Sequence, residues 1–350
     1  MQEEKDGDDW IVTAPSARFD IEIEEDLIEE VARIYGYNEI PEAPVSGELA
    51  PGVRGHGVAL ARIRESLCAS GYQEAINYSF VDKRHLAHMN HNHMMLPLAN
   101  ALSSDMTIMR TTLIPGLLNS LARNVRRQQS RVRLFETGVA FMQGETLNEV
   151  DRLAAVATGD VLPEQWSVSN RKIDFFDIKG EVEKLFSMKG DTSGLSFEAG
   201  QLPWMHPGAS AIVYLDGKHV GWCGAVHPNV LKAFEIKNTV YAFEIDLDAL
   251  LSREIPFTKE ISRFPSVRRD IAVELPIDVT YMTVEECIKE AAGPYLENIN
   301  VFDVYQGNNL KDGYKSLAIS LIFNNVSSTL RDEDVDPAIK GVIDRLEQRL

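Results

Sequence analysis

The chain has 350 residues, 44% of them hydrophobic and 8% aromatic, with 35 basic against 53 acidic side chains and a net charge of −18. This is ample apolar content for packed cores in two or three soluble globular domains, and the acidic balance excludes a surface that grips nucleic acid indiscriminately, so that any such contact must be local. Three scattered cysteines, Cys68, Cys223 and Cys287, give neither a disulfide framework nor a zinc ribbon and suit a reducing cytoplasm.

The first residues, "MQEEKDGDDWIV", lack the basic and apolar regions of a signal peptide, and no apolar run approaches the length of a membrane span. A strand-like "WIVTAP" follows at once, as if the chain had been cut from a longer one. Residues 19 to 23 alternate apolar and charged as a strand does. From Glu24 the spacing of Leu27, Val31, Ile34 and Tyr35 predicts a helix, with Gly36 placed to end it. Seven carboxylates fall between Asp20 and Glu30. Asp26, Glu29 and Glu30 share one side of that helix, and Asp20 on the approaching strand is placed to close over them. Such crowding suits a hard divalent cation bound by oxygen alone, magnesium or calcium before zinc. Acids in a first helical turn are equally explained by the helix dipole.

Pro41, Pro44 and Pro51, with Gly47 and Gly52, read as a linker. The "GVRGHGV" stretch after it, residues 52 to 58, has a GxG but no preceding buried strand, and serves better as a flexible helix entry than as a phosphate loop. Between residues 53 and 250 helices are expected at "ALARIRESLCASG", "LIPGLLNSLARNVRRQQS" and "FFDIKGEVEKLFSMKG". Strands are expected at "EAINYSFV", "RLFETGVAF", "RLAAVATG", "SAIVYLDG", "HVGWCGAV" and "VYAFEIDLDAL". Strands bunched in hairpins with separate helices indicate an α+β domain on an antiparallel sheet. Within it, "HLAHMNHNH" (85 to 93) gathers four histidines without a cysteine, more a mobile polar loop than a closed metal site. "ARNVRRQQSRVR" (122 to 133) carries five arginines and no acid. It suits contact with phosphate or a partner's acids, or a solvated helix end whose dipole the arginines complement. The final segment reads β-α-β-β-α, a ferredoxin-like split βαβ that stops where its last strand would come.

Several of these blocks resemble, in order, the C-terminal part of bacterial phenylalanyl-tRNA synthetase beta subunits. "APSARFDIEIEEDLIEEVARIYGYNEIP" is similar to the signature of that family's B5 domain. "GYQEAINYSFVD", "LSSDMTIMRTTLIPGLLNSLARN", "VRLFETGVAF" and "HPGASAIVYLDGKHVGWCGAVHPNV" resemble its B6/B7 core, and "RFPSVRRDIAVEL", "VFDVYQG" and "GYKSLAISLIFNN" its terminal anticodon-binding domain. The resemblance implies an end of B5 over 1–41, a linker over 42–52, a class II synthetase-like core over 53–257 and a ferredoxin-fold anticodon-binding domain over 258–350 without its last strand. The tRNA-binding OB module and the B3/B4 editing region of such subunits would precede residue 1, so editing is not assigned to this chain.

The resemblance further implies a core with the class II fold but without its chemistry. Class II catalysis needs an arginine in a strand of type fRxE and another closing a glycine-rich motif. No arginine follows the phenylalanine in "RLFETGVAF", and "GWCGAVHPN" has none. No catalytic residue is therefore expected here; the alpha subunit would use ATP to activate phenylalanine and charge tRNA, in a cytoplasmic heterotetramer of two alpha and two beta chains. The family's D-x5-D-x2-E-E pattern falls on Asp20, Asp26, Glu29 and Glu30, implying one magnesium ion shared with alpha. In the terminal domain 11 basic face 16 acidic residues, and Arg263, Arg268 and Arg269 are the expected tRNA contacts, unless neighbouring acids such as Asp270 consume them. A free-standing metal-dependent hydrolase using the acidic cluster is the alternative, though no histidine or lysine base lies near residues 20 to 30.

Overall fold

A computed structural model describes residues 1–43, 58–89, 95–144, 146–190, 192–252, 260–307 and 309–350. The chain divides into two units, Met1–Gly55 and His56–Leu350. Most of the expected linker, all but the last residue of "GVRGHGV", the last four residues of the histidine stretch and the core's boundary at 257 lie outside the described residues.

The first unit opens with a hairpin of β1 (Gln2–Asp6) and β2 (Asp9–Thr13). The helix α1 spans Glu24–Tyr35 and ends at Gly36, whose φ of 102° is open to glycine and whose N–H closes the last turn on the Ala32 carbonyl. The strand expected at residues 19–23 is not formed. Its N–H groups have another use: Asp26, in the helix's first turn, accepts from the backbone N–H of Glu22 and Ile23 at 2.8 and 3.0 Å. No residue of α1 is buried, and Ile28, Val31, Ile34 and Tyr35 stand exposed.

The second unit begins with α2 (Leu60–Ala69), β3 (Gln73–Glu74), β4 (Phe80–Val81), α3 (Lys83–Ala87) and β5 (Ile108–Met109). It continues through α4 (Ile114–Arg126), β6 (Val132–Gln143), β7 (Leu147–Thr158), α5 (Phe175–Ser187), β8 (Leu195–Ala199), β9 (Met205–Leu215) and β10 (Lys218–Val226). Then come α6 (Pro228–Ala233), β11 (Tyr241–Asp246) and α7 (Leu247–Leu251). Seven strands form one sheet in the order β3-β6-β7-β11-β10-β9-β8, antiparallel except for the two-residue β3 at its edge. Both faces are covered. Phe135, Leu153, Ala155 and Phe243 pack with α2, α5 and α7 on one side, while Leu134, Ala154, Val156 and Trp222 pack with α4 and α6 on the other. That double burial explains why "LAAVAT" is apolar throughout rather than alternating.

The expected strand "EAINYSFV" is interrupted after Glu74, because Asn77 turns inward to bond Glu136 and Ser120. "VYAFEIDLDAL" is half strand and half helix, changing at Asp246. The last segment is β12 (Val267–Pro276), α8 (Tyr281–Ala291), β13 (Leu296–Tyr305), β14 (Tyr314–Phe323) and α9 (Asp332–Arg349), as the β-α-β-β-α reading expects. Its sheet order is β12-β14-β13, and both helices join a core with Leu275, Leu317, Ile319, Leu321 and Phe323.

Candidate functional site

In the acidic stretch, Arg18 lies between two of the four expected ligands. Its Nη2 donates to Asp20 and Glu30, at 2.7 Å each, and Arg33 reaches the other Glu30 oxygen at 2.5 Å. These hydrogen bonds hold the Glu30 carboxyl down to about 2, and Arg18 likewise lowers Asp20. Asp26 is lowered chiefly by the two backbone N–H groups it caps. Glu29 is exposed. Among the described residues no three acids, histidines or cysteines stand together as a ready metal group. The donor set is nevertheless all oxygen, which fits a hard cation, and the guanidinium of Arg18 occupies the electrostatic role an ion would have between Asp20 and Glu30. Spacing along a helix cannot reveal this, since Arg18 reaches Glu30 twelve positions away.

The expected tRNA contacts separate. On β12 odd residues face the helices and even ones the open face of the sheet, so Arg269 turns to Asp332 and, at 3.6 Å, to Asp336 of α9. Arg268 lies on the open face, bonded to Asp270 at 2.7 Å and with its guanidinium carbon 5.3 Å from the Phe302 ring centre. Arg263 is exposed ahead of the strand.

The sheet of the second unit holds two buried glutamates, each with its partners, that sequence reading missed. Arg110 donates to Glu136 at 2.6 Å and to the Val139 carbonyl at 2.9 Å, while Asn77 donates to Glu136 at 2.6 Å. A Cβ on Gly138 would lie 2.3 Å from the Arg110 guanidinium, so glycine there makes room for the pair. Glu244 accepts from Thr112 Oγ1 and the Leu113 N–H at 2.9 and 2.8 Å, and burial raises its carboxyl above the ordinary value. Each carboxylate is consumed by the fold. A surface groove of about 510 Å³ is lined by Asp151, Asp216, Asp246 and Asp248, with Lys218 the one cation among the described lining residues and Asp246 paired with Arg152. Four aspartates repel a polyphosphate. His85, from the histidine stretch, stacks on Phe234 at 4.1 Å, and burial lowers its pKa. It is a packing residue on α3 rather than part of a loop.

Residues 40–247 match the family described as phenylalanyl tRNA synthetase beta chain CLM domain. Residues 262–350 match the ferredoxin-fold anticodon binding domain, and residues 1–37 the tRNA synthetase B5 domain. The phenylalanine-tRNA ligase beta subunit of Pseudoalteromonas translucida is 41% identical over 349 residues, covering 98% of this chain and 44% of that protein. That of Photorhabdus laumondii is 43% identical over 347 residues, covering 97% and 43%. The chain thus spans less than half the length of these relatives. Among solved structures, a pyrrolysyl tRNA synthetase from Desulfitobacterium hafniense superposes on 55% of this chain and 67% of its own, with a TM-score of 0.41 and 17% identity.

Proposed function

Because this chain belongs to the family of phenylalanyl-tRNA synthetase beta chains, we propose that it is the non-catalytic beta-subunit portion of a phenylalanine-tRNA ligase. It supports an alpha subunit in a cytoplasmic assembly of two alpha and two beta chains, and helps position tRNA for the ATP-dependent attachment of phenylalanine. No described helix is long and apolar enough to cross a membrane. The observation that carries the non-catalytic reading is the state of the core's charged groups. Arg110 and Glu136 are spent on each other inside the sheet, and the 510 Å³ groove, lined by four aspartates and one lysine, is a poor seat for a polyphosphate. ATP and phenylalanine are accordingly handled on alpha. In this reading 1–41 is the end of B5, 42–52 a linker, 53–257 the class II-like core and 258–350 the anticodon-binding domain. Arg263, Arg268 and Arg269 contact RNA, Arg268 from the open sheet face beside Phe302.

Asp20, Asp26, Glu29 and Glu30 would hold one magnesium ion shared with alpha. When bound, the ion supplies a positive charge that joins carboxylates of one chain to groups of the other. The all-oxygen donors support this, with Arg18 the internal cation of the conformation described. Metal-assisted hydrolysis at the same acids has nothing in its favour, since family membership points elsewhere and no histidine or lysine falls within residues 20–30.

Co-purification with an alpha subunit, with and without a chelator, tests both statements. The chains should co-elute, and Glu29→Ala with Glu30→Ala should weaken magnesium binding, measured by titration calorimetry, by about tenfold or more. Association that survives both chelator and substitutions would remove the magnesium role. Failure to associate at all would remove the reading.

A further inference from the structure

From Gly159 the chain leaves β7 on an excursion that returns at Lys172. Its neck is closed by the Val161 N–H on the Arg171 carbonyl and the Ile173 N–H on the Gly159 carbonyl, both at 3.0 Å, and by the Asp160–Lys172 ion pair at 2.7 Å. At the far side of the excursion Trp166 is 99% exposed. A single exposed apolar residue is ordinary on a protein surface, so what singles out Trp166 is the arginine turn at the base of its loop.

The neck rests on the arginine-rich turn between α4 and β6. Gly159, at φ +93°, lies so close that a Cβ would come 2.1 Å from the Ser130 carbonyl oxygen and 2.9 Å from the Arg131 Cα. Arg131 and Arg133 both donate Nη2 to the Val161 carbonyl, at 3.3 and 2.9 Å. Two guanidiniums thus share one neutral acceptor. Burial, and after it the neighbouring Arg133, lower the pKa of Arg131. Among the described residues Arg126 alone of the five arginines has an ion-pair partner, Glu235 at 2.6 Å, an exposed contact of small worth. Arg123 and Arg127 are exposed at the end of α4. In a chain of net charge −18, this arginine-rich turn adjoins the base of a loop whose tryptophan is five residues, at most about 17 Å of extended chain, beyond Val161.

We propose that the arginine turn and the Trp166 loop together form a second RNA contact, with guanidiniums on phosphates and the indole stacked on a base of an unpaired segment. The inference rests on the RNA-positioning role given above and adds a site in the sheet unit, apart from β12. Unneutralised arginines beside an exposed aromatic are what single strands use, charge tracking the backbone and a ring face accepting any base. A protein partner would have to bring an apolar pocket and several acids together, whereas an unpaired RNA segment brings a phosphate and a ring face with every nucleotide.

The test uses the full chain and a labelled unstructured oligouridylate of about 12 nucleotides, with Trp166→Ala and the double variant Arg123→Gln/Arg127→Gln. Neither touches a buried position, and unchanged thermal unfolding checks the fold. Trp166→Ala should weaken binding roughly 5- to 100-fold. The double variant should lower the slope of log affinity against log salt by about 1.4, two phosphates at ~0.7 each. Unchanged affinity and slope in both would overturn the proposal, as would loss of a protein partner with RNA binding intact. If the unsubstituted chain binds no RNA, the RNA-positioning role falls with it. If that chain binds, and Arg268→Gln weakens binding while these variants do not, only the second site falls.

Discussion

Glu244 is a carboxyl whose surroundings favour the proton. Burial raises its pKa above the ordinary 4.5, against the pull of Arg152, the Leu113 N–H and the Thr112 hydroxyl. The folded state therefore holds a proton that the unfolded chain releases, and stability falls as pH rises past 4.5 toward the folded value. Glu244→Gln keeps an acceptor oxygen without the charge, so its stability relative to the parent should improve from pH 5 to pH 8. Glu244→Ala should cost about 1–3 kcal/mol by orphaning a buried hydroxyl and a backbone N–H. Urea unfolding at both pH values measures each. Sequence reading did not find this residue, because a glutamate in "VYAFEID" is indistinguishable from an outward-facing strand acid until the second face of the sheet is known to be covered. The acidic stretch leading into α1 was legible differently. Helical spacing selected Asp26, Glu29 and Glu30 on one side, and Gly36 marked the end. The bridge from Arg18 to Asp20 and Glu30 was not legible, since it depends on a turn and not on a repeat.

At the scale of elements, the segment before α4 is tied to β6 by an ion pair that neither announces. Arg110 precedes α4, Glu136 sits mid-strand, and both are almost wholly enclosed. Arg110→Ala leaves Glu136 charged and dry, and should destabilise the chain by about 3–5 kcal/mol. Arg110→Met with Glu136→Leu should cost clearly less, because no unpaired charge remains. Denaturant midpoints of the two variants decide it, and equal losses would show that the charge is not what matters. Periodicity placed α2, α4, α5 and the long strands well, because each buries a face or a whole width in one core. It failed where tertiary bonds cut an apolar run. Asn77 breaks "EAINYSFV" by turning to Glu136, and the strand of "VYAFEIDLDAL" gives way at Asp246 to α7, which carries Leu247 and Leu250 into the same core. On β12, Arg268 and Arg269 read as a cluster in one dimension, and the pleat sends them to opposite faces.

For the molecule as a whole, the family was readable from blocks of sequence in order, and the fold followed as a mixed α+β architecture with antiparallel sheets. What composition concealed was where positive charge collects. A net charge of −18 hides the arginines of residues 122–133, of which Arg131 and Arg133 fold against the neck of the Trp166 loop. On the function proposed above, this chain lends support and RNA contacts to a reaction carried out on another subunit. Amino-acid-dependent exchange of pyrophosphate into ATP tests it most directly, with phenylalanine and magnesium supplied. The chain alone should give no exchange above background, and exchange should appear when an alpha subunit is added and should co-elute with the complex. Phenylalanine-dependent exchange by this chain alone would contradict the account.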